Sequence, residues 1–202
     1  DPVAIDALLG ADRHLGSLVD RTPGLRAAGS VDPAETLVRA IVGQQVSVSG
    51  ARTVAGRITD AVGERLSFEH PRLTHLFPSM ERLAAIDESA LPIPKSRAGT
   101  IQRAARLVEN GELDLSPGID RQAAVRLLES IRGIGPWTAR YVAMRGLGDP
   151  DVLLDTDLGV RHALVARGLT PPDTERWRPW CTYAIHHLCS TLGDATRPWT
   201  TT

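Results

Sequence analysis

The residues best placed to do chemistry lie in Ile131-Arg132-Gly133-Ile134-Gly135-Pro136-Trp137-Thr138-Ala139, with Asp157 following beyond Asp149-Pro150. Gly133 and Gly135 can take positive φ without a Cβ penalty, so a turn built on them can expose backbone N–H groups at the start of the next helix. Such donors suit a phosphate oxygen. A carboxylate roughly twenty residues later, across a Gly/Pro-rich loop, can then address whatever lies beside that phosphate. Arg132, Arg140 and Arg145 fall between 132 and 148 with no acid among them, which makes the stretch locally positive.

Composition bounds what surrounds this pattern. The 202 residues suffice for one large domain or two lobes with a substantial core. A net charge of −1 argues against nonspecific coating of nucleic acid but permits a local basic face. Lys95 is the only lysine, so nearly all positive charge sits on arginine, whose planar fork suits phosphate; compositional drift would give the same richness. No apolar run approaches the roughly twenty residues that span a bilayer, and no membrane partner is expected. Cys181 and Cys189 are too few for a disulfide scaffold or a four-thiolate cluster, and a reduced, cytoplasmic, nucleoid-associated protein is expected. On one helix these two cysteines would stand about 12 Å apart, too far to bridge. The start at Asp1 rather than Met suggests a fragment of a longer polypeptide or a processed product.

The elements that must position these residues read as helices. Asp1-Pro2 opens one that Ile5, Leu8, Leu9, Leu15, Leu18 and Val19 carry to about Asp20. Asp32-Pro33 opens another to Gly43, and Gln44 to Val62 reads as the next, with polar Gln44, Gln45 and Ser47 where the two meet. After an irregular stretch over 63–79 come short helices near 80–86 and 88–91, then a longer one introduced by Pro94-Lys95-Ser96-Arg97 and stopped at Asn110-Gly111. Ile119, Ala123, Ala124, Leu127, Leu128 and Ile131 give a strong helical face running into the Gly-x-Gly turn. Thr138 to Gly146 continues beyond it, Asp155, Thr156 or Asp157 caps a helix to about Arg167, and a final pair covers roughly 173–178 and 180–192. With no convincing strand, the chain is expected to be all-α, two lobes with a cleft between them: 32–148 carrying the turn, and 1–31 plus 149–202 carrying Asp157.

A helix, Gly133-Ile134-Gly135 and a second helix resemble the helix-hairpin-helix motif of DNA-binding proteins. The Gly/Pro loop with Asp157 resembles the DNA glycosylase superfamily named for those parts. Val42-Gly43-Gln44-Gln45-Val46-Ser47, Tyr141-Val142-Ala143-Met144-Arg145-Gly146, and Arg176-Trp177-Arg178-Pro179-Trp180 followed by Tyr183-Ala184 narrow the resemblance to 3-methyladenine DNA glycosylase II, the AlkA type. It covers nearly the whole chain. The N-terminal β-rich domain usual in that type is missing.

The resemblance implies a monofunctional DNA glycosylase of base excision repair that flips alkylated purines such as 3-methyladenine and 7-methylguanine out of double-stranded DNA and hydrolyses their glycosidic bond. Gly133, Gly135 and Thr138 would grip phosphate through their amides. The carbonyls of Glu129, Ile131 and Gly133 would hold a monovalent sodium or potassium ion, no cofactor being required. Asp157 would stabilise the oxocarbenium-like transition state or orient a water; as a bare N-cap it would do neither. Trp137 occupies the position where strand-nicking members carry a Schiff-base lysine. Trp137 and Tyr141, four apart on one helix, can line a pocket whose electron-rich faces attract a cationic base, or can be ordinary core aromatics.

Two positions depart from the family pattern. Cys189 stands where a relative has a pocket Trp, and Gln45 where it has a Leu wedge, so the breadth of alkyl-base capture is in question. Gln44 and Gln45 count among the DNA contacts, their alternative role being to cap or bridge helices. The protein is expected to be a monomer with an upstream damage-response domain as a fusion partner. The competing readings are a non-catalytic helix-hairpin-helix module of a larger repair protein and a related glycosylase for another damaged base.

Overall fold

A computed structural model describes residues 1–71 and 73–192. Within them lie ten α-helices: α1 (Pro2–Gly10), α2 (Gly16–Arg21), α3 (Pro33–Val42), α4 (Val48–Val62), α5 (Met80–Ala85), α6 (Lys95–Glu109), α7 (Arg121–Ser130), α8 (Pro136–Arg145), α9 (Leu158–Val165) and α10 (Cys181–Cys189). Two 3₁₀ segments, Glu88–Ala90 and Pro171–Trp177, complete the regular structure. Among the described residues the only β pairing is an isolated antiparallel bridge between Arg65 and His75, so the fold is all-α, as the periodicity requires. No helix among them is long and apolar enough to cross a membrane.

The chain divides into two compact units, Ser30–Leu147 and, separately, Asp1–Gly29 with the chain from Gly148 onward. The first, the hairpin unit, packs α3, α6, α7 and α8 about Leu37, Ile41, Ile101, Leu128 and Val142, all fully buried. Each such side chain contributes about 1.5–3 kcal/mol relative to exposure. The second, the carboxylate unit, contains α1, α2, α9 and α10 around Leu9, Leu18, Trp177 and Leu188. Residues 193–202, part of the second lobe expected from sequence, lie outside the described residues.

Two helices differ from the periodicity, each for a tertiary or capping reason. The single helix expected from Pro2 to Asp20 is broken between Gly10 and Gly16. Asp12 causes the break. Its Oδ1 accepts from the His14 and Leu15 amides at 2.8 and 3.2 Å, and its Oδ2 accepts from Trp177 Nε1 at 3.1 Å and from the Arg176 guanidinium. Burial pushes this carboxyl up, but the donors outweigh burial and hold it below its ordinary range. The helix expected from Gln44 starts only at Val48, because the Ser47 hydroxyl caps it by accepting from the Gly50 amide at 3.1 Å. That frees Gln44 to Val46 to form a corner. Gln45 there has φ +57, the only described non-glycine residue in the left-handed region.

Candidate nucleic-acid interface and active site

The hairpin is built by local signals at both ends. Asp120 caps α7, its Oδ1 accepting from the Gln122 and Ala123 amides, and α7 ends as Ile131 turns extended. Gly133 then takes φ +100, and the Ile134 amide closes the turn on Ile131 O at 2.9 Å. Pro136 at the first position of α8 presets the next helix, where a missing N–H costs nothing. Only Gly133 uses the positive φ open to both glycines, since Gly135 sits at φ −96. A Cβ on Gly133 would run into the Thr100 hydroxyl, whereas one on Gly135 would meet no protein atom within 4 Å. Among the described residues the amides of Gly133, Gly135 and Thr138 donate to no protein acceptor. Those amides form an anion-ready group at the N-terminus of a ten-residue helix.

The carbonyl side of the turn is engaged by the protein itself. Arg132 O accepts from Thr100 Oγ1 at 3.1 Å and from Arg103 Nη2 at 2.9 Å, both on α6. Gln44 Nε2 donates to Gly133 O and to Thr138 Oγ1, each at 2.9 Å. Arg97 Nη2 donates to the backbone oxygen of Gln44 at 3.0 Å. Gln44 thus bridges elements, and the Thr138 hydroxyl is committed to it. Of the carbonyls expected to hold a monovalent cation, Gly133 O accepts from Gln44 and Ile131 O from Ile134, and Glu129 contributes the third. Two of the three accept one hydrogen bond each and keep a second lone pair.

On α8, Trp137 and Tyr141 stack with ring centroids 5.2 Å apart and planes inclined by 16°. Both rings are half-buried, so the pair presents surface rather than disappearing into the core. Gln45 is exposed, and so are Val46 and Val48 after it, so the corner projects a polar side chain followed by apolar ones.

In the carboxylate unit Asp157 is the N-cap of α9. Its Oδ1 accepts from the Gly159 amide at 2.8 Å and the Val160 amide at 3.1 Å, which fixes the carboxylate at the positive end of the helix. It is 9% exposed. Cys189 lies within electrostatic reach: burial, and after it the charge of Asp157, pushes the thiol up to about 12. Cys189 is therefore a neutral thiol beside the carboxylate, and at 5% exposure it offers almost no surface for stacking. Cys181 is likewise free and buried, pushed up to about 12 chiefly by burial.

Several neighbouring residues are engaged within the protein. Asp151 accepts from Arg178 Nη1 at 2.6 Å and holds the start of α10 through the Cys181 amide. Trp177 is fully buried, as its place in the C-terminal pattern suggests. Arg145 is buried and presents little surface to a phosphate, whereas Arg132, Arg140 and Arg161 are exposed. Thr100, Arg103 and Arg97 escape sequence reasoning. They are unremarked helix residues whose partners stand 32, 29 and 53 positions away, and no local pattern marks them. Charge divides between the units: 15 basic against 13 acidic residues in the hairpin unit, 8 against 11 in the other. Attraction for a polyanion thus belongs to the unit that carries the free amides.

Comparison with known proteins agrees with these features. No family model matches the chain. A protein of Mycobacterium tuberculosis described as a probable bifunctional transcriptional activator/DNA repair enzyme AlkA is 44% identical over 98% of the chain, which spans 41% of that relative. The DNA-3-methyladenine glycosylase 2 of Escherichia coli is 39% identical over 89% of the chain and is itself covered to 64%. The chain therefore spans less than two thirds of either relative. Among solved structures, a 3-methyladenine DNA glycosylase from Archaeoglobus fulgidus superposes with TM-score 0.76 at 25% identity, covering 93% of this chain and 68% of that one. A Clostridium acetobutylicum 8-oxoguanine glycosylase/lyase bound to double-stranded DNA shares the fold at TM-score 0.74 and 17% identity, covering 94% and 70%. With the hairpin, the capped Asp157 and these identities together, the chain belongs to the helix-hairpin-helix DNA glycosylase superfamily, within which it groups with the AlkA type of 3-methyladenine DNA glycosylase II.

Proposed function

We propose that this chain is a monofunctional DNA glycosylase that removes alkylated purines from double-stranded DNA by base flipping. The observation that carries the reading is Asp157, a nearly buried carboxylate held by two amides at a helix N-terminus, in a chain whose hairpin offers three uncommitted amides. The hairpin amides bind a backbone phosphate, helped by the exposed arginines Arg132 and Arg140. The flipped nucleotide brings its C1′ to Asp157. As the bond from C1′ to the base nitrogen breaks, positive charge develops on the sugar, and the fixed carboxylate stabilises it. Water then adds to C1′, its oxygen forming the new bond and its proton going to solvent or the departing base, and an abasic site remains.

Substrate choice follows from the α8 aromatics. The faces of Trp137 and Tyr141 favour a base carrying positive charge, as N3- and N7-methylated purines do, and those bases also leave readily. Cys189 adds no stacking surface, so recognition rests on that pair and on lability. Gln45, presented by its left-handed backbone, fills the space that the flipped nucleotide vacates. No lysine stands in the hairpin, Trp137 occupying the position concerned, so the strand is left intact. The chain acts as a monomer.

The test is release of bases from a methylated duplex by the purified chain. Liberation of 3-methyladenine and 7-methylguanine with equal formation of abasic sites supports the reading. Duplex binding without release from any alkylated substrate would make the chain a non-catalytic binding module. Release of a different damaged base in preference would move it to a related glycosylase.

A further inference from the structure

We propose that Gln44 is the positioning residue of the hairpin, tying the phosphate-binding turn to the corner that presents Gln45 so that the two move as one body. The inference rests on the DNA-binding part of the proposed function. The side-chain amide of Gln44 donates at 2.9 Å to Gly133 O, within the turn, and at 2.9 Å to Thr138 Oγ1, in the first turn of α8. One NH₂ group thus spans the loop. Its backbone oxygen is held in turn by Arg97 at 3.0 Å, so Gln44 is fixed to α6 while its side chain fixes the hairpin. The next residue is Gln45, at φ +57. A left-handed non-glycine residue persists only where its surroundings hold it, and here the preceding carbonyl is clamped by a guanidinium.

The same logic extends to the adjoining peptide. A trans peptide points its N–H opposite its C=O. Thr100 and Arg103 hold Arg132 O toward α6, and this aims the Gly133 N–H, in the same peptide unit, away from the protein. Gln44 holds the following carbonyl, and the Ile134 N–H of that unit is spent on Ile131 O. The outward-facing Gly133 amide is therefore set by donors on the opposite side of the turn, and Gln44 fixes the peptide that follows it. Without Gln44 the loop keeps its glycine geometry but loses its fixed distance to α8 and to the corner.

The experiment measures duplex affinity as a function of salt, base-release kinetics and thermal stability for the full chain and its variants. Gln44→Leu keeps the bulk and removes the donor. It is expected to weaken binding to an abasic-site duplex about tenfold, to flatten the log Kd against log salt slope by about 0.9, one phosphate's worth, and to raise KM more than it lowers kcat. Thr138→Ala, which removes one of the two acceptors, should move affinity the same way by less, and adding it to Gln44→Leu should cost little more. If Gln44→Leu lowers the melting temperature but leaves affinity, salt slope and KM at the wild-type values, the residue is merely structural and the proposal is overturned. Should Gln44→Leu fail to fold, Thr138→Ala decides: unchanged affinity and slope overturn the proposal as well. A wild-type chain that binds duplex but releases no base would sink the glycosylase reading and leave this one standing. A wild-type chain without salt-dependent duplex binding would end both.

Discussion

Gly133 is seated directly against Thr100: any Cβ on Gly133 would strike the hydroxyl and methyl of that threonine, and the glycine's φ of +100 lies where an L side chain is strained in any case. Gly135, two residues on, has neither constraint. The two glycines therefore separate cleanly under mutation. Gly133→Ala is expected to destabilise the hairpin unit by about 2 kcal/mol or more through strain and overlap, with Thr100→Ala recovering only the steric part. Gly135→Ala should leave the urea midpoint near wild type, since its Cβ would meet no protein atom within 4 Å, yet weaken duplex binding if the hairpin amides bind phosphate as proposed. Paired unfolding and binding titrations check this, and equal loss of stability for both variants would contradict it.

The corner at Gln45 makes a stability–activity trade explicit. A left-handed non-glycine residue costs about 1 kcal/mol or more, so Gln45→Gly is expected to raise stability by roughly that amount. The same change removes the side chain proposed to fill the gap behind a flipped nucleotide, and base release from duplex should fall. If the variant proves both more stable and fully active, Gln45 has no part in flipping.

How much of this was legible in the sequence depends on whether the cause was local. The hairpin was, because glycine at a positive φ, proline at the first helical position and aspartate at a cap are requirements of neighbouring backbone atoms. Asp157 was legible for the same reason. The break between α1 and α2 was not: Asp12 accepts from Trp177 and Arg176, which lie 165 and 164 residues away, and the apolar stripe runs on through the break as though nothing interrupted it. Gln44 stands out in sequence as polar at a junction, yet its partner Gly133 is 89 residues distant, so sequence does not choose between touching DNA and bracing the hairpin. The motif marks Gln45, but its left-handed backbone follows from where Ser47 caps α4.

Acid sensitivity of the carboxylate unit should trace partly to His187. This imidazole is fully buried in α10, with Nε2 lacking a partner among the described residues and Nδ1 3.5 Å from Thr22 Oγ1. Burial lowers its pKa below 6.5; the charge of Asp6 opposes this and that of Arg26 adds to it. The unfolded chain then takes up a proton that the folded chain refuses. Its contribution is therefore fully present above about pH 6.5 and is lost as the pH falls from there through the lowered folded value, by at most about 1.4 kcal/mol per pH unit. Urea unfolding at pH 7.5 and 5.5 should show a smaller difference for His187→Leu than for the wild type. An identical difference would contradict the assignment.

The absence of a hairpin lysine predicts how the reaction ends. Borohydride reduction during turnover of an alkylated duplex should trap no covalent complex through the hairpin, and the product strand should stay unbroken until alkali is added. A trapped adduct mapping to 131–141 would contradict direct hydrolysis.

Asp157→Asn tests whether the carboxylate drives glycosidic cleavage without disturbing the helix, because asparagine caps as well as aspartate. Single-turnover release of 7-methylguanine at saturating enzyme, alongside melting temperature and duplex affinity, is the measurement. A catalytic carboxylate at 157 gives a rate about 100-fold lower or more in the variant at unchanged stability and affinity. A variant that releases the base at the wild-type rate would contradict it.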